Sequence, residues 1–213
     1  MNNILQNIMI GFGNFPFFAV LFTLPIFAVQ LVKYKTFNPV RILLNYTAIL
    51  YFLCLFALVF FPIPDMAEAA QLSGYEIQLI PFHFIADIVR ESPLVITDLH
   101  TYLPAVFNRA VLQVVFNVMM TIPFGMLLRY YFGCSGKKVV VCSFLLSLFI
   151  EIGQLTGMFF MYSGSYRLCD VDDLMANTLG GLIGYVIVEV CHFLPEIRTF
   201  DFHAAKTKVA LVR

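Results

Sequence analysis

Five separate stretches of this chain are each about 20 residues long and predominantly apolar, which is the length needed to cross a hydrocarbon core about 30 Å thick at 1.5 Å of helix rise per residue. They run approximately over 12–32, 42–62, 109–132, 138–161 and 171–195, and the first two carry no charge at all. Inside a bilayer the backbone N–H and C=O groups find no water, so such segments satisfy them internally as helices. The rest of the composition agrees. Of 213 residues, 61% are apolar and 12% charged, whereas soluble domains carry about 25% charge. A water-soluble globule is excluded. The expected fold class is all-α, a polytopic transmembrane helix bundle of about five spans. Its organisation is two N-terminal spans in 1–62, a long loop over 63–108, a three-helix core over 109–195 and a tail over 196–213.

The thirteen basic and thirteen acidic residues cancel, so net charge gives no argument for nucleic-acid binding, and position becomes the informative quantity. The loop at 33–41, the loop from Arg129 to Lys138 and the tail hold Lys33, Lys35, Arg41, Arg129, Lys137, Lys138, Arg198, Lys206, Lys208 and Arg213. Only Arg90, Arg109 and Arg167 fall on the other side. The excess of Lys and Arg on cytoplasmic loops therefore predicts an outer N-terminus and a cytoplasmic C-terminus, which an odd number of spans requires. No basic stretch precedes the first span and no small-residue cleavage site follows it, so it is expected to be retained. Among the five cysteines, Cys54, Cys142 and Cys191 fall in spans, Cys134 faces inward and Cys169 outward, which gives no disulfide pair; no CxxC or zinc spacing is present.

The 63–108 segment is the one loop long enough to hold structure outside the bilayer. Within it, residues 81–91 place His83, Asp87, Arg90 and Glu91 on one helical face, with Pro81 suited to the first helical position. An amphipathic helix on the outer membrane surface is expected. Its polar face has a bland explanation, solvation, and a His–Asp pair four residues apart is common on exposed helices. His83, Asp87 and Arg90 are accessory candidates on that account.

Polar residues inside spans are more demanding, because an ionised carboxylate in the bilayer costs several kcal/mol unless it is paired, hydrogen-bonded or neutralised. Glu151 falls about ten residues from the outer end of span four, roughly 15 Å down at the helical rise. Gln154 is one turn closer to the surface on the same face. In span five, Asp170, Asp173 and Asn177 recur at i, i+3 and i+7, while Asp170 and Asp172 also suit the helix N-terminus as caps. Span three supplies Gln113, Asn117 and Thr121 at intervals of four. Interhelical hydrogen bonding accounts for amides of this kind, and Gly180, Gly181 and Gly184 suit plain close packing of helices. The addition of Glu151, Asp170, Asp173 and Arg167 favours a polar pocket open to the outside.

These residues carry a resemblance. Leu79-Ile-Pro-Phe, Asn117 with Ile122-Pro-Phe-Gly, Glu151-Ile-Gly-Gln, and Arg167-x-x-Asp-Val-Asp-Asp-x-x-x-Asn-Thr-Leu-Gly occur in that order over roughly residues 75 to 190. The combination resembles the VanZ-like family of membrane proteins, associated with reduced susceptibility to the glycopeptide teicoplanin. The resemblance implies a bacterial cell-envelope setting and the cytoplasmic membrane. It names no reaction.

Three functions are compatible with the residues. In the first, a pocket of Asn117, Glu151, Gln154, Arg167, Asp170, Asp173 and Asn177 binds or remodels an envelope lipid, a lipid-linked cell-wall precursor or a glycopeptide, with Arg167 toward an anionic headgroup. In the second, Glu151 is the general acid or base of a membrane enzyme, with Asp170 and Asp173 near a divalent cation. In the third, Glu151 relays protons in a transporter, although the chain lacks the internal repeat on which many transporters are built. No nucleophile or complete metal site is legible, so catalytic and metal-binding residues stay unassigned. No cofactor is implied. The expected partners are membrane lipids.

Overall fold

The computed structural model describes residues 2–65, 68, 71–72, 74–165, 167–191 and 194–202. The tail residues Lys206, Lys208 and Arg213 lie outside the described residues. Five helices are long and apolar enough to cross a membrane: Leu5–Tyr34, Pro39–Phe60, Arg109–Tyr130, Gly136–Leu155 and Val171–Val190. The chain is a multi-pass membrane protein whose described residues are mainly helical, as its composition requires.

The contacts divide the chain into two compact units, Met1–Leu58 with Phe193–Arg213, and Val59–His192. In the first unit, α1 (Asn2–Val29) runs on into a π-helical turn, Gln30–Tyr34, and Lys35 in the left-handed region ends it. Both Pro16 and Pro25 lie inside α1. The following helix, α2 (Pro39–Phe60), pairs with α1 closely enough that a side chain at Gly11 would strike the backbone of Cys54. Closer to the turn that joins the pair, the Thr23 and Tyr46 hydroxyls hydrogen-bond at 2.8 Å. A short 3-10 turn, Ile197–Phe200, lies in this unit, and Phe202 pairs with Phe37 in an antiparallel bridge.

The second unit opens in the last turn of α2. Its 63–108 loop contains α3 (His83–Glu91), and the remaining long helices are α4 (Arg109–Tyr130), α5 (Gly136–Leu155) and α6 (Val171–Val190). Each has a local cause. Asn108 caps α4 by accepting the Val111 N–H at 2.8 Å, and Gly133 at φ +66° ends that helix with its N–H on the Arg129 carbonyl. Asp170 caps α6 by accepting the Asp172 N–H at 2.9 Å.

Two boundaries differ from the sequence expectation in a way that moves the site. Span four was expected to reach residue 161, but α5 stops at Leu155, where Thr156 and the left-handed Gly157 turn the chain back. At Gly157 a β-carbon would collide with the Tyr162 carbonyl and the Gly164 backbone, so the turn requires glycine. Glu151 therefore lies four residues, about 6 Å along the axis, from its helix end rather than about 15 Å. In the loop, Phe82 in the left-handed region is the N-cap of α3, so Pro81 precedes the helix instead of starting it.

The three helices of this unit pack through small residues. At Gly125 and Gly181 the backbones of α4 and α6 touch, and Gly180 and Gly184 leave room for the carbonyls of Val118 and Ile122. On α5, Gly153 accommodates the rings of Phe60 and Phe159.

Candidate functional site

At the end of the helix trio where α5 stops and α6 starts, a two-residue parallel ladder joins β1 (Ile77–Gln78) to β2 (Cys169–Asp170). The connection is reinforced upstream, where Ser165 N–H donates to the Gly74 carbonyl at 3.1 Å and the Glu76 N–H donates to the Ser165 hydroxyl at 2.9 Å. This ladder folds the start of α6 over the end of α5. As a result, Glu151, only 2% exposed, accepts the Asp170 N–H at 3.0 Å through Oε2. The Cys169 thiol lies close enough to Glu151 to feel its charge.

Around this contact the carboxylates gather. Asp170 and Asp173 lie within electrostatic range of Glu151, and Asp173 takes a 3.4 Å hydrogen bond from the Gln113 amide with Asn117 alongside it. The Asn117 amide nitrogen is buried without a hydrogen-bond partner. Burial raises the pKa of Asp170 above the ordinary carboxylate range, only partly opposed by the Asp172 N–H it accepts. Burial, followed by the Glu151 charge, pushes the Cys169 thiol up to about 11.

Asp172, which the sequence presents as a cap of its own helix, does something else. It is 4% exposed, and its two oxygens accept the backbone N–H groups of Phe82 at 2.6 Å and Phe84 at 2.9 Å. It thus caps α3 from a different helix. Sequence reasoning left Asp172 out of the site, although a third acid at a helix start that already has a cap was the available signal.

Other candidates resolve into separate groups. Gln154 donates to the Val59 carbonyl at 3.0 Å and Arg167 to the Phe61 carbonyl at 2.8 Å, so they brace the last turn of α2 and the residue just after it. Asn177, 2% exposed, donates its side-chain amide to Ser147 at 3.0 Å, while its backbone carbonyl accepts the Thr121 hydroxyl at 2.7 Å. That layer lies one turn below Glu151 on α5, with Ser143 a further turn down. On α3, Asp87 lies between His83 at 3.1 Å and Arg90 at 2.6 Å, a surface network. His83 and Asp87 nevertheless reach Asp170 electrostatically. Among the described residues no three His, Cys, Asp or Glu groups converge as metal ligands.

The profile of the family described as VanZ/LLP1 matches residues 48–192. The chain belongs to the VanZ-like family. No curated protein and no solved structure matches it. In this VanZ-like chain the matched stretch contains every group just described, from the Val59 carbonyl to Asn177.

An apolar groove of about 380 Å³ runs between α5 and α6, lined by Val140, Phe144, Val171, Leu174 and Met175 among others. It begins at Val171, the residue after Asp170.

Proposed function

We propose that this protein binds or remodels an amphipathic envelope molecule, namely a lipid, a lipid-linked cell-wall precursor or a glycopeptide, and so affects teicoplanin susceptibility. The observation that carries the reading is the junction of Glu151, Asp170 and Asp173 where α5 ends and α6 starts, with Val171, the residue after Asp170, lining an apolar groove. Carboxylates accept N–H and O–H groups, which sugars, peptides and amines present, and the groove suits an acyl chain. Arg167, which donates to the Phe61 carbonyl, is the group toward an anionic headgroup.

Membership of the family and the loop charges support a setting in the bacterial cytoplasmic membrane, with the N-terminus outside and the C-terminus in the cytoplasm. The junction then faces outward, where such molecules are found. An enzymatic alternative with Glu151 as general acid or base remains, but Cys169 is a poor nucleophile for it, because its thiol stays protonated near neutral pH.

The test begins with Glu151→Gln, which keeps shape and removes charge. It is expected to remain inserted and folded while losing the susceptibility phenotype; wild-type susceptibility at normal expression would overturn the pocket. Purified protein incubated with total envelope lipids, with and without EDTA, separates the two classes. Co-purifying unmodified lipid supports the binder. New lipid products that vanish on chelation support the enzyme.

A further inference from the structure

A second buried polar cluster lies in the first unit, outside residues 48–192 matched by the family profile. Arg41 in the first turn of α2 is 5% exposed, and its guanidinium stacks on the Tyr34 ring at 3.8 Å. Its Nη1 reaches Gln30 Oε1 at 3.4 Å and its Nη2 faces Asp201 Oδ1 at 3.5 Å. That same oxygen accepts the amide of Asn38 at 2.7 Å. Asn38 is fully enclosed at 0% exposure, and it also donates to the Ile197 carbonyl at 2.7 Å.

Donors outnumber acceptors here. A guanidinium brings five N–H groups and each of the two amides two, against one carboxylate and two amide oxygens on the described side chains, of which Asn38 Oδ1 is taken by the Arg41 backbone N–H at 2.9 Å. Both Arg41 contacts are longer than the roughly 2.7–2.9 Å of a charge-assisted hydrogen bond. Gln30 is 1% exposed and its Nε2 has no hydrogen-bond partner, and the buried Thr36 hydroxyl in the same loop has none either. An unsatisfied buried donor beside a buried cation costs free energy that an additional anionic acceptor would recover. The π-helical turn that carries Gln30 and Tyr34 is itself a costly local conformation of the kind found at binding sites.

We propose that Arg41, Gln30 and Asn38 form a binding site for a phosphomonoester, and that Asp201 is the chain's own occupant of it. A phosphomonoester presents three terminal oxygens where the carboxylate presents two, which matches the surplus of donors. Exposed Lys33, Lys35 and Arg198 flank the site, four basic residues with Arg41 against Glu196 and Asp201. The field around it is positive. The phosphate arrives either on a lipid headgroup or as a free anion. This site is independent of the Glu151 junction.

The test is calorimetric titration of the full chain in maltoside micelles with dioctanoyl phosphatidic acid, dioctanoyl phosphatidylcholine and inorganic phosphate. Phosphatidic acid is expected to bind, and the choline lipid, whose phosphate is a diester, is not. Binding of phosphatidic acid alone assigns the site to a lipid, whereas binding of inorganic phosphate as well assigns it to the free anion. Asp201→Asn is expected to tighten binding about five- to tenfold by removing the competing charge, a coupling of ordinary size. Gln30→Leu, which deletes the orphaned donor and nearly keeps the volume, is expected to weaken binding by a similar factor. Equal affinity for the two lipids, no binding of either phosphate, or no gain in a folded Asp201→Asn protein overturns the proposal. In that last case Asp201 only fastens the segment after Ile197 to the loop. Should Asp201→Asn fail to fold, unchanged affinity in Gln30→Leu overturns the proposal equally.

Discussion

The Asp172 carboxylate accepts the backbone N–H of Phe84 at 2.9 Å, joining the first turn of α6 to the first turn of α3 across 88 residues of sequence. Its other oxygen takes the Phe82 N–H, so one buried side chain satisfies two of the donors that a helix start leaves open. Hydrogen bonds to a charged acceptor contribute about 1.5–3 kcal/mol each. Asp172→Ala is expected to release α3 while the long helices persist. Hydrogen exchange at residues 82–88 should accelerate at least about tenfold, since 1.4 kcal/mol corresponds to a factor of ten. Unchanged protection there would show that α3 is held by something else.

Cys169 carries a pH signature. Its thiol is pushed up from about 9 to about 11, first by burial and then by the Glu151 charge. The folded state therefore holds the proton more tightly than the unfolded chain, and this group's contribution to stability is lost as pH rises from about 9 to about 11. At pH 8 the thiolate fraction is about one in a thousand. Alkylation by iodoacetamide, followed by mass spectrometry, should be slow at pH 8 and rise about tenfold per pH unit toward 11. Glu151→Gln removes the neighbouring charge and should speed the reaction at pH 8. A rate equal to that of free cysteine in the wild type would contradict the burial of this thiol.

The spans were legible because bilayer crossing sets a length that composition reveals directly, and Glu151 and Asn177 stood out because polar groups in such segments are costly. Asp170 was legible as a cap for the same kind of local reason. What the sequence hides is long-range. The role of Asp172 depends on a partner 88 residues away, and the β1–β2 ladder depends on two short segments whose composition gives no strand signal. The depth of Glu151 was misjudged because an apolar run continues past Leu155, and apolarity does not show that Gly157 turns the backbone. For Gln154 and Arg167, polarity identifies a group that needs a partner without saying which; here each donates to a backbone carbonyl.

Asn177 ties three helices at one level, its side-chain amide donating to Ser147 on α5 while its backbone carbonyl takes the Thr121 hydroxyl of α4. Interhelical hydrogen bonds of this kind in membranes contribute about 0.6 kcal/mol on average and about 1.7 at most. Thr121→Val removes one without changing volume, so thermal unfolding in detergent should show a loss of about 1 kcal/mol. Asn177→Leu inserts a branched chain into a 2% exposed position and should cost more. Equal stability of all three proteins would mean that this polar layer is not structural.

The closest backbone approach in the second unit makes a prediction in which one substitution rescues another. A β-carbon added at Gly181 would overlap the Ser143 side chain, whereas one added at Gly125 would overlap the backbone of Gly181 itself. A side chain can be removed and a backbone cannot. Gly181→Ala and Gly125→Ala should each destabilise by about 1–3 kcal/mol through overpacking, with Gly125→Ala the more severe. Adding Ser143→Gly should recover most of the loss in Gly181→Ala, because it clears the obstructing atoms, and should recover nothing in Gly125→Ala, whose obstacle remains. Thermal unfolding of the two pairs in detergent measures this as an interaction energy present in one double-mutant cycle and absent from the other. Rescue of both, or of neither, would mean that α6 shifts to relieve the contact and that the glycine backbones do not fix the spacing of α4 and α6.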